Sequence, residues 1–202
     1  MEILYRVHQG LYVNLTNRCS CACTFCLRQS MDRMGESGSL WLEREPAARE
    51  VIAEFGKWDL SAFREVVFCG FGEPTCALPV LLEAAAWLKE NGAPPIRVNT
   101  NGQGSLIVGR DISKELAACV DTVSISLNHP DPKKYQALVR SRFGDEAFPA
   151  MLDFAEKCAR AGIHVVMTTV DTTITHEEED RCRAICREIG AEYRIRPWED
   201  GL

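Results

Sequence analysis

The sequence predicts an α/β fold: a partial (β/α)6 barrel of parallel strands with outer helices, its site at the C-terminal strand ends. Three observations predict it. Short runs rich in branched and aromatic residues alternate with helical stretches. The alternation repeats six times, which implies parallel strands joined by helical crossovers. The strand runs are nearly continuously apolar, as expected when both faces are covered.

In chain order, residues 2–5 suggest an extra antiparallel strand that turns at His8-Gln9-Gly10. Parallel strands are expected over 11–15, 66–69, 96–100, 122–127, 165–170 and 193–195. A helix over 46–55 begins at Pro46, a residue suited to a first helical turn. A second, over 79–90, stops at Asn91-Gly92, and a third, over 149–161, stops at Gly162. The last, over 176–189, follows Thr175 with Glu178 at capping-box spacing and ends at Gly190. The alternative architecture is an open doubly wound sheet, which would place the same residues at a similar edge.

Length and composition bound the answer. The 202 residues are 46% hydrophobic and 26% charged, enough for one sizeable core in one domain spanning 1–202. These fractions exclude disordered, collagen-like and coiled-coil chains. No apolar run approaches the roughly 18 to 20 residues of a membrane helix. The N-terminus lacks the basic-then-apolar layout of a secretory signal, so the expected compartment is the cytoplasm. A net charge of −6 argues against phosphate-backbone binding as the main task, so nucleic acid is not indicated. Ten cysteines in a reducing compartment mean core filler, metal ligands or redox chemistry.

Spacing decides among these. The first parallel strand opens into Thr16-Asn17-Arg18-Cys19-Ser20-Cys21-Ala22-Cys23-Thr24-Phe25-Cys26, a Thr/Asn/Ser-rich loop that suits a core poorly. Within it Cys19, Cys23 and Cys26 form CxxxCxxC. Three thiolates on a tight loop reach three corners of a cubane iron–sulfur cluster and leave the fourth iron to a small molecule. Zinc is the competing metal, but structural zinc wants four closed ligands, commonly as two pairs, and no second pair of finger-like spacing follows. Cys21 reads as a bystander, because one turn of loop cannot present four sulfurs ideally.

With Phe25 just before the last cysteine, this loop resembles the signature of the radical S-adenosylmethionine (SAM) superfamily. Later strand ends resemble the family in the same order. Cys69-Gly70-Phe71-Gly72-Glu73-Pro74 is similar to the family's GGEP motif, with Phe71 where the first glycine of the pair would stand. The resemblance assigns Gly70, Gly72, Glu73 and Pro74 to the SAM amino group, and an ammonium does need carbonyl oxygens and a carboxylate at one point. Asn99-Thr100-Asn101-Gly102 is similar to the family's TNG segment, which brings in Asn99 and Asn101. Along the strand after it, period two places Ser124, Ser126 and Asn128 on one face, and Ser126 and Asn128 match the ribose-binding position. Thr168 and Val170 fall where the family usually contacts adenine. Arg196 and Trp198 are substrate candidates, with core packing the competing reading for Trp198. The short length, residues 11–26 and the Arg196-Pro197-Trp198 ending look most like the small radical SAM proteins associated with TatD-family nucleases.

The resemblance implies cofactors and chemistry. Cys19, Cys23 and Cys26 would hold a [4Fe–4S] cluster, and SAM would chelate the open iron. Reductive cleavage would release methionine and a 5′-deoxyadenosyl radical that abstracts hydrogen from substrate. The implied partners are an electron donor of flavodoxin or ferredoxin type and, with no cysteine-rich extension to close the barrel, a partner protein or peptide as substrate. A functional link to a TatD-type nuclease is a further expectation. The alternatives are an activase acting on a glycine of a partner enzyme, and a non-enzymatic cysteine-rich metal-binding interaction module. Among the remaining residues, Cys182 and Cys186 lie on one helix face and read as core, as does Cys69; Cys76 stays open. His129, at a strand end, could reach the site.

Overall fold

The computed structural model describes residues 1–34 and 37–198; the last four positions of the expected domain, 199–202, lie outside the described residues. Leu4–Val7 (β1) and Gly10–Val13 (β2) pair antiparallel, with His8 taking the turn at φ 51°. Every later pairing is parallel: β2 with Glu65–Phe68 (β3), then Ile96–Thr100 (β4), Thr122–Ser126 (β5), His164–Val170 (β6) and Glu192–Arg196 (β7).

The spatial order follows the chain order from β1 to β7. A doubly wound sheet would reverse its order at a switch point. Here all crossovers advance in one direction, and right-handed crossovers then place the helices on one face. The sheet is thus that of a partial barrel.

The helices are Ala48–Phe55 (α1), Leu78–Glu90 (α2), Gly104–Val108 (α3), Ser113–Ala117 (α4), Pro132–Val139 (α5), Ala147–Arg160 (α6) and His176–Ile189 (α7). The four longest expected helices are present. α1 begins two residues after Pro46, and Glu50 secures its start by accepting the Ala47 N–H at 2.8 Å. The Thr175–Glu178 capping box forms in both directions, at 3.3 and 3.0 Å. Gly92, Gly162 and Gly190 all take positive φ just past their helices, which is why glycine stands there. The short α3 and α4 carry no periodicity of their own, so the pattern did not show them. α5 did carry a signal: Asp131 caps it and Pro132 opens it.

Helices and sheet bury one continuous core, in which Val51, Phe55, Leu81 and Leu88 pack with Leu11, Val66, Ile96 and Val98. Each such side chain contributes about 1.5–3 kcal/mol. The opposite face of the sheet differs from the expectation of strands apolar throughout. On β4, Ile96, Val98 and Thr100 are buried while Arg97 and Asn99 are half-exposed. On β5, Val123 and Ile125 are buried while Ser124 and Ser126 are half-exposed. The face away from the helices is partly polar on these two strands, whereas on β3 and β6 it is buried at Val67, Val166 and Thr168.

Candidate functional site

The cysteine loop leaves the C-terminal end of β2 and is held on three sides. Ala22 and Thr24 donate their N–H groups to Val139 and Leu138 at the end of α5, at 3.0 and 2.9 Å. The Arg142 N–H bonds the Ser20 carbonyl at 2.9 Å. On the β3 side, the Glu73 N–H bonds the Arg18 carbonyl at 2.8 Å.

That last contact explains the glycines. Neither Gly70 nor Gly72 has positive φ, and neither does Phe71. A Cβ on Gly72 would sit 2.2 Å from the Thr16 carbonyl oxygen, and one on Gly70 would sit 2.2 Å from Asn14 Oδ1. These glycines serve close backbone approach, where flexibility was expected of Gly70. Phe71 is buried with Tyr5 and Leu40 and packs edge-on against Trp41, at 5.1 Å between ring centres.

Glu73 caps the single turn that begins at Pro74. Its Oε1 accepts from Thr75 N at 3.1 Å, Thr75 Oγ1 at 2.7 Å and Thr100 Oγ1 at 2.7 Å, and Oε2 accepts from Asn101 N at 2.7 Å. Burial pushes its carboxyl up from the ordinary range, and those four hydrogen bonds pull it back. Glu73 therefore ties the β3 turn to the β4 turn. Asn101 continues the tie: its Nδ2 donates to Ser20 Oγ at 2.9 Å and faces the sulfurs of Cys21 and Cys19 at 3.6 and 3.8 Å.

All ten cysteines are free thiols. Cys19, Cys23 and Cys26 are half-buried, whereas Cys21 is buried and its Sγ receives Gln103 Nε2 at 3.3 Å. The side-chain hydrogen bond with Cys21, then burial, pushes the Cys19 thiol well above its ordinary range. Cys21 is pushed up to about 12: its bond with Cys19 lowers it, and Cys23 and burial outweigh that. Ligating thiols must lose their protons, so loading this loop releases protons. Among the described residues no three His, Cys, Asp or Glu side chains gather as ligands of a single ion. A cubane takes its thiolates at separate iron corners, and three accessible thiols with the fourth cysteine turned inward suit that donor set.

The remaining candidates divide. Asn99 lies on the polar face, where it bonds Cys69 and accepts from Arg97 Nη1 at 2.7 Å. Ser126 shares that face, in register with Thr168 on β6. Thr168 is buried, its hydroxyl directed at the Ile125 carbonyl. Asn128 departs from the period-two expectation: β5 has ended, Asn128 takes φ 60°, and it is buried. Phe25 and Val170 come together with Leu27, Arg196 and Trp198 around a cavity of about 60 Å³ at the ends of β6 and β7. Trp198 is 47% exposed and lies outside the core cluster, where it walls this cavity.

Three further expectations are corrected or resolved. Cys69 lies outside the core cluster, on the polar face beside Asn99, where burial nonetheless pushes its thiol up. His129 turns away from the cysteine loop: its Nδ1 accepts from Asp131 N at 2.9 Å, which leaves Nε2 to donate to Glu178 at 3.1 Å and link α5 to α7. Cys76 lines a cleft beside Cys19.

Sequence reasoning missed Gln103. It is fully buried; Oε1 accepts from Ser20 and Ser141, each at 2.8 Å, and Nε2 reaches Tyr135 Oη at 3.1 Å as well as Cys21. A single glutamine after an Asn-Gly turn carries no signal, because its partners come from three distant segments. The Arg18–Glu45 fork, at 2.6 and 2.8 Å, was missed for the same reason.

Comparison with known proteins places this geometry. The GTP 3′,8-cyclase of Brucella ovis is 28% identical over 165 residues, covering 79% of this chain and 43% of the cyclase. That of Brucella abortus (strain 2308) is 27% identical over the same share. The chain thus spans less than half the length of these relatives. Among solved structures, Streptococcus suis SuiB bound to precursor peptide SuiA superposes with a TM-score of 0.69 at 18% identity, over 95% of this chain and 39% of SuiB. Native anSMEcpe with bound AdoMet gives 0.69 at 17% identity, over 95% of this chain and 51% of that one. These structures share the fold. The radical SAM superfamily profile matches residues 13–189, from the end of β2 through the whole of α7, and the chain belongs to that superfamily.

Proposed function

We propose that this chain, taken as one core domain over 1–202, is a radical SAM enzyme in which Cys19, Cys23 and Cys26 hold a [4Fe–4S] cluster. The observation that carries the reading is the cysteine loop itself: three half-buried free thiols, with Cys21 turned inward onto Gln103. When bound, cluster and SAM supply one-electron cleavage of the sulfonium carbon–sulfur bond and a 5′-deoxyadenosyl radical for hydrogen abstraction. The chain's own residues bind and position. Glu73 and Asn101 hold the cysteine loop against the β3 and β4 turns, Gly72 lets the β3 turn approach it, Gly70 makes room for Asn14, and Pro74 opens the turn that Glu73 caps. Asn99 and Ser126 offer polar atoms on the open face, and Phe25 and Val170 an apolar wall beside it.

The substrate is a peptide or other macromolecule that covers the polar face of the sheet. Two neighbours in structure hold peptides: SuiB with its precursor peptide, and anSMEcpe with the Cp18Cys peptide. Residues 11–26 and Arg196-Pro197-Trp198 support placement near the TatD-associated radical SAM proteins, with a functional link to such a nuclease.

The test is anaerobic. The chain is reconstituted with iron and sulfide, given dithionite and SAM, and 5′-deoxyadenosine is quantified against a variant with Cys19, Cys23 and Cys26 all replaced by Ala. Product from the native chain alone is expected. No product, with zinc in place of iron in protein purified without air, would overturn the reading.

A further inference from the structure

We infer that the arginine-lined cleft beside Cys19 is the docking face for a small acidic redox protein that delivers the electron. This rests on the cysteine loop being the cluster site. The cleft has a volume of about 580 Å³. Four arginines from separate segments line it: Arg18 on the cysteine loop, Arg28 in the turn after it, Arg110 after α3 and Arg142 after α5. No acidic residue lines it, although Asp and Glu outnumber Lys and Arg by 29 to 23 in the chain. The balance of the whole chain is acidic, and the lining of this cleft is the reverse.

Pairing leaves charge over. Glu45 engages Arg18 and Glu115 engages Arg110. Arg28 donates to the carbonyls of Asn17, Phe71 and Cys21 at 3.2 to 3.5 Å, and Arg142 lies over the Phe143 ring at 4.8 Å. Among the described residues no acid pairs with Arg28 or Arg142. The first turn of α2, at Leu78 and Pro79, faces the same cleft without a side-chain cap, so its positive end adds to the field.

Two features favour a protein face over a small anion. The Arg18–Glu45 and Arg110–Glu115 pairs and Arg142 are exposed around the cleft, so the face is broad and wet, and its surplus charge, from Arg28 and Arg142, steers an acidic partner. Cys19 stands in the wall, so a partner seated here lies against a thiol of the cluster loop. The cleft shares no lining residue with the cavity of Phe25, Val170 and Arg196, so electron entry leaves the substrate side free. One electron leaves the donor's reduced flavin and is taken up at the cluster site; no bond is made or broken at the cleft.

The test uses the reconstituted holoprotein and a flavodoxin, whose flavin fluorescence reports binding without turnover. The variant carries Arg110→Glu and Arg142→Glu, with the Gln pair as a neutral control. Native protein is expected to bind, and to lose binding as salt rises to about 0.3 M. Charge reversal is expected to weaken binding about tenfold or more, with the Gln pair in between. Dithionite-driven SAM cleavage stays unchanged, since dithionite needs no docking face and the Arg142 contact with the Ser20 carbonyl is made by its backbone N–H, which both variants keep. Equal binding by native and reversed proteins would overturn the proposal, as would binding indifferent to salt. ATP binding that the reversed pair abolishes, without flavodoxin binding, would also overturn it and assign the cleft to a small polyphosphate. Failure of native protein to cleave SAM with dithionite counts against the proposed function, while the fluorescence result still decides the docking face.

Discussion

Glu73, at the β3 turn, accepts the backbone N–H of Asn101, at the β4 turn, at 2.7 Å across 28 residues of sequence. The same Asn101 donates its side-chain amide to Ser20 in the cysteine loop. One carboxylate and one amide thus join three strand ends around the thiols. Every donor at Glu73 points toward an acceptor oxygen, so Glu73→Gln would set an NH₂ group against donors. Urea denaturation should show a loss of about 1–3 kcal/mol.

Gly72→Ala tests the backbone approach. Its Cβ would meet Thr16 and Arg18 carbonyl oxygens at 2.2 and 2.7 Å, and backbone cannot yield as a flexible side chain does. Gly92→Ala meets nothing within 4 Å and carries only the strain of positive φ. Gly72→Ala should cost about 1–3 kcal/mol and lower the iron retained per chain, whereas Gly92→Ala should cost about 1 kcal/mol and leave iron unchanged.

Cys21 separates a three-thiol cluster from a four-cysteine zinc site. Cys21→Ala should retain iron, sulfide and the visible absorption of the reconstituted protein. Cys19→Ala, Cys23→Ala or Cys26→Ala should each lose them. Equal loss in all four variants would mean that Cys21 ligates.

Gln103→Ala removes the shared partner of Ser20, Ser141, Tyr135 and Cys21. The expected loss is about 2 kcal/mol or more, from unpaired buried groups and a cavity together. Alkylation of Cys21 in the metal-free chain should become faster, because its sulfur loses the amide that covers it.

Acid stability should carry the signature of Glu178. Its bond to the Lys134 ammonium, and that from the Thr175 N–H, hold its carboxyl at about 2, below the ordinary 4.5. A depressed carboxylate stabilises fully above the unfolded value and loses that contribution as pH falls. The gap in urea midpoint between native protein and Glu178→Gln should be widest above pH 4.5, shrink below it and vanish only below pH 2. A gap independent of pH would exclude the assignment.

Much of this was legible in the sequence because it depends on local chemistry. The CxxxCxxC loop, the caps at Thr175 and Glu178 and the glycine stops after three helices are short-range patterns. So was the parallel pairing of the strands, since helical crossovers join them, while their order across the sheet was not. Extrapolation failed where local pattern met a change of backbone. Asn128 lost its period-two direction at φ 60°, and Cys69, which looked like the end of a core strand, came to rest on the face away from the helices, outside the core cluster.

The sequence by itself determined the fold class, the cysteine loop and the superfamily, because each rests on residue type and spacing within one segment. Tertiary structure alone decided the rest. It set the sheet order that makes a partial barrel, the burial of Cys21 against Gln103, and the cleft where Arg18, Arg28, Arg110 and Arg142 meet. Those arginines lie up to 124 positions apart in sequence, and no local pattern relates them. They share a field only because parallel crossovers bring the C-terminal ends of β2, β3, β4 and the end of α5 to one rim, where charge acts through space and not along the chain.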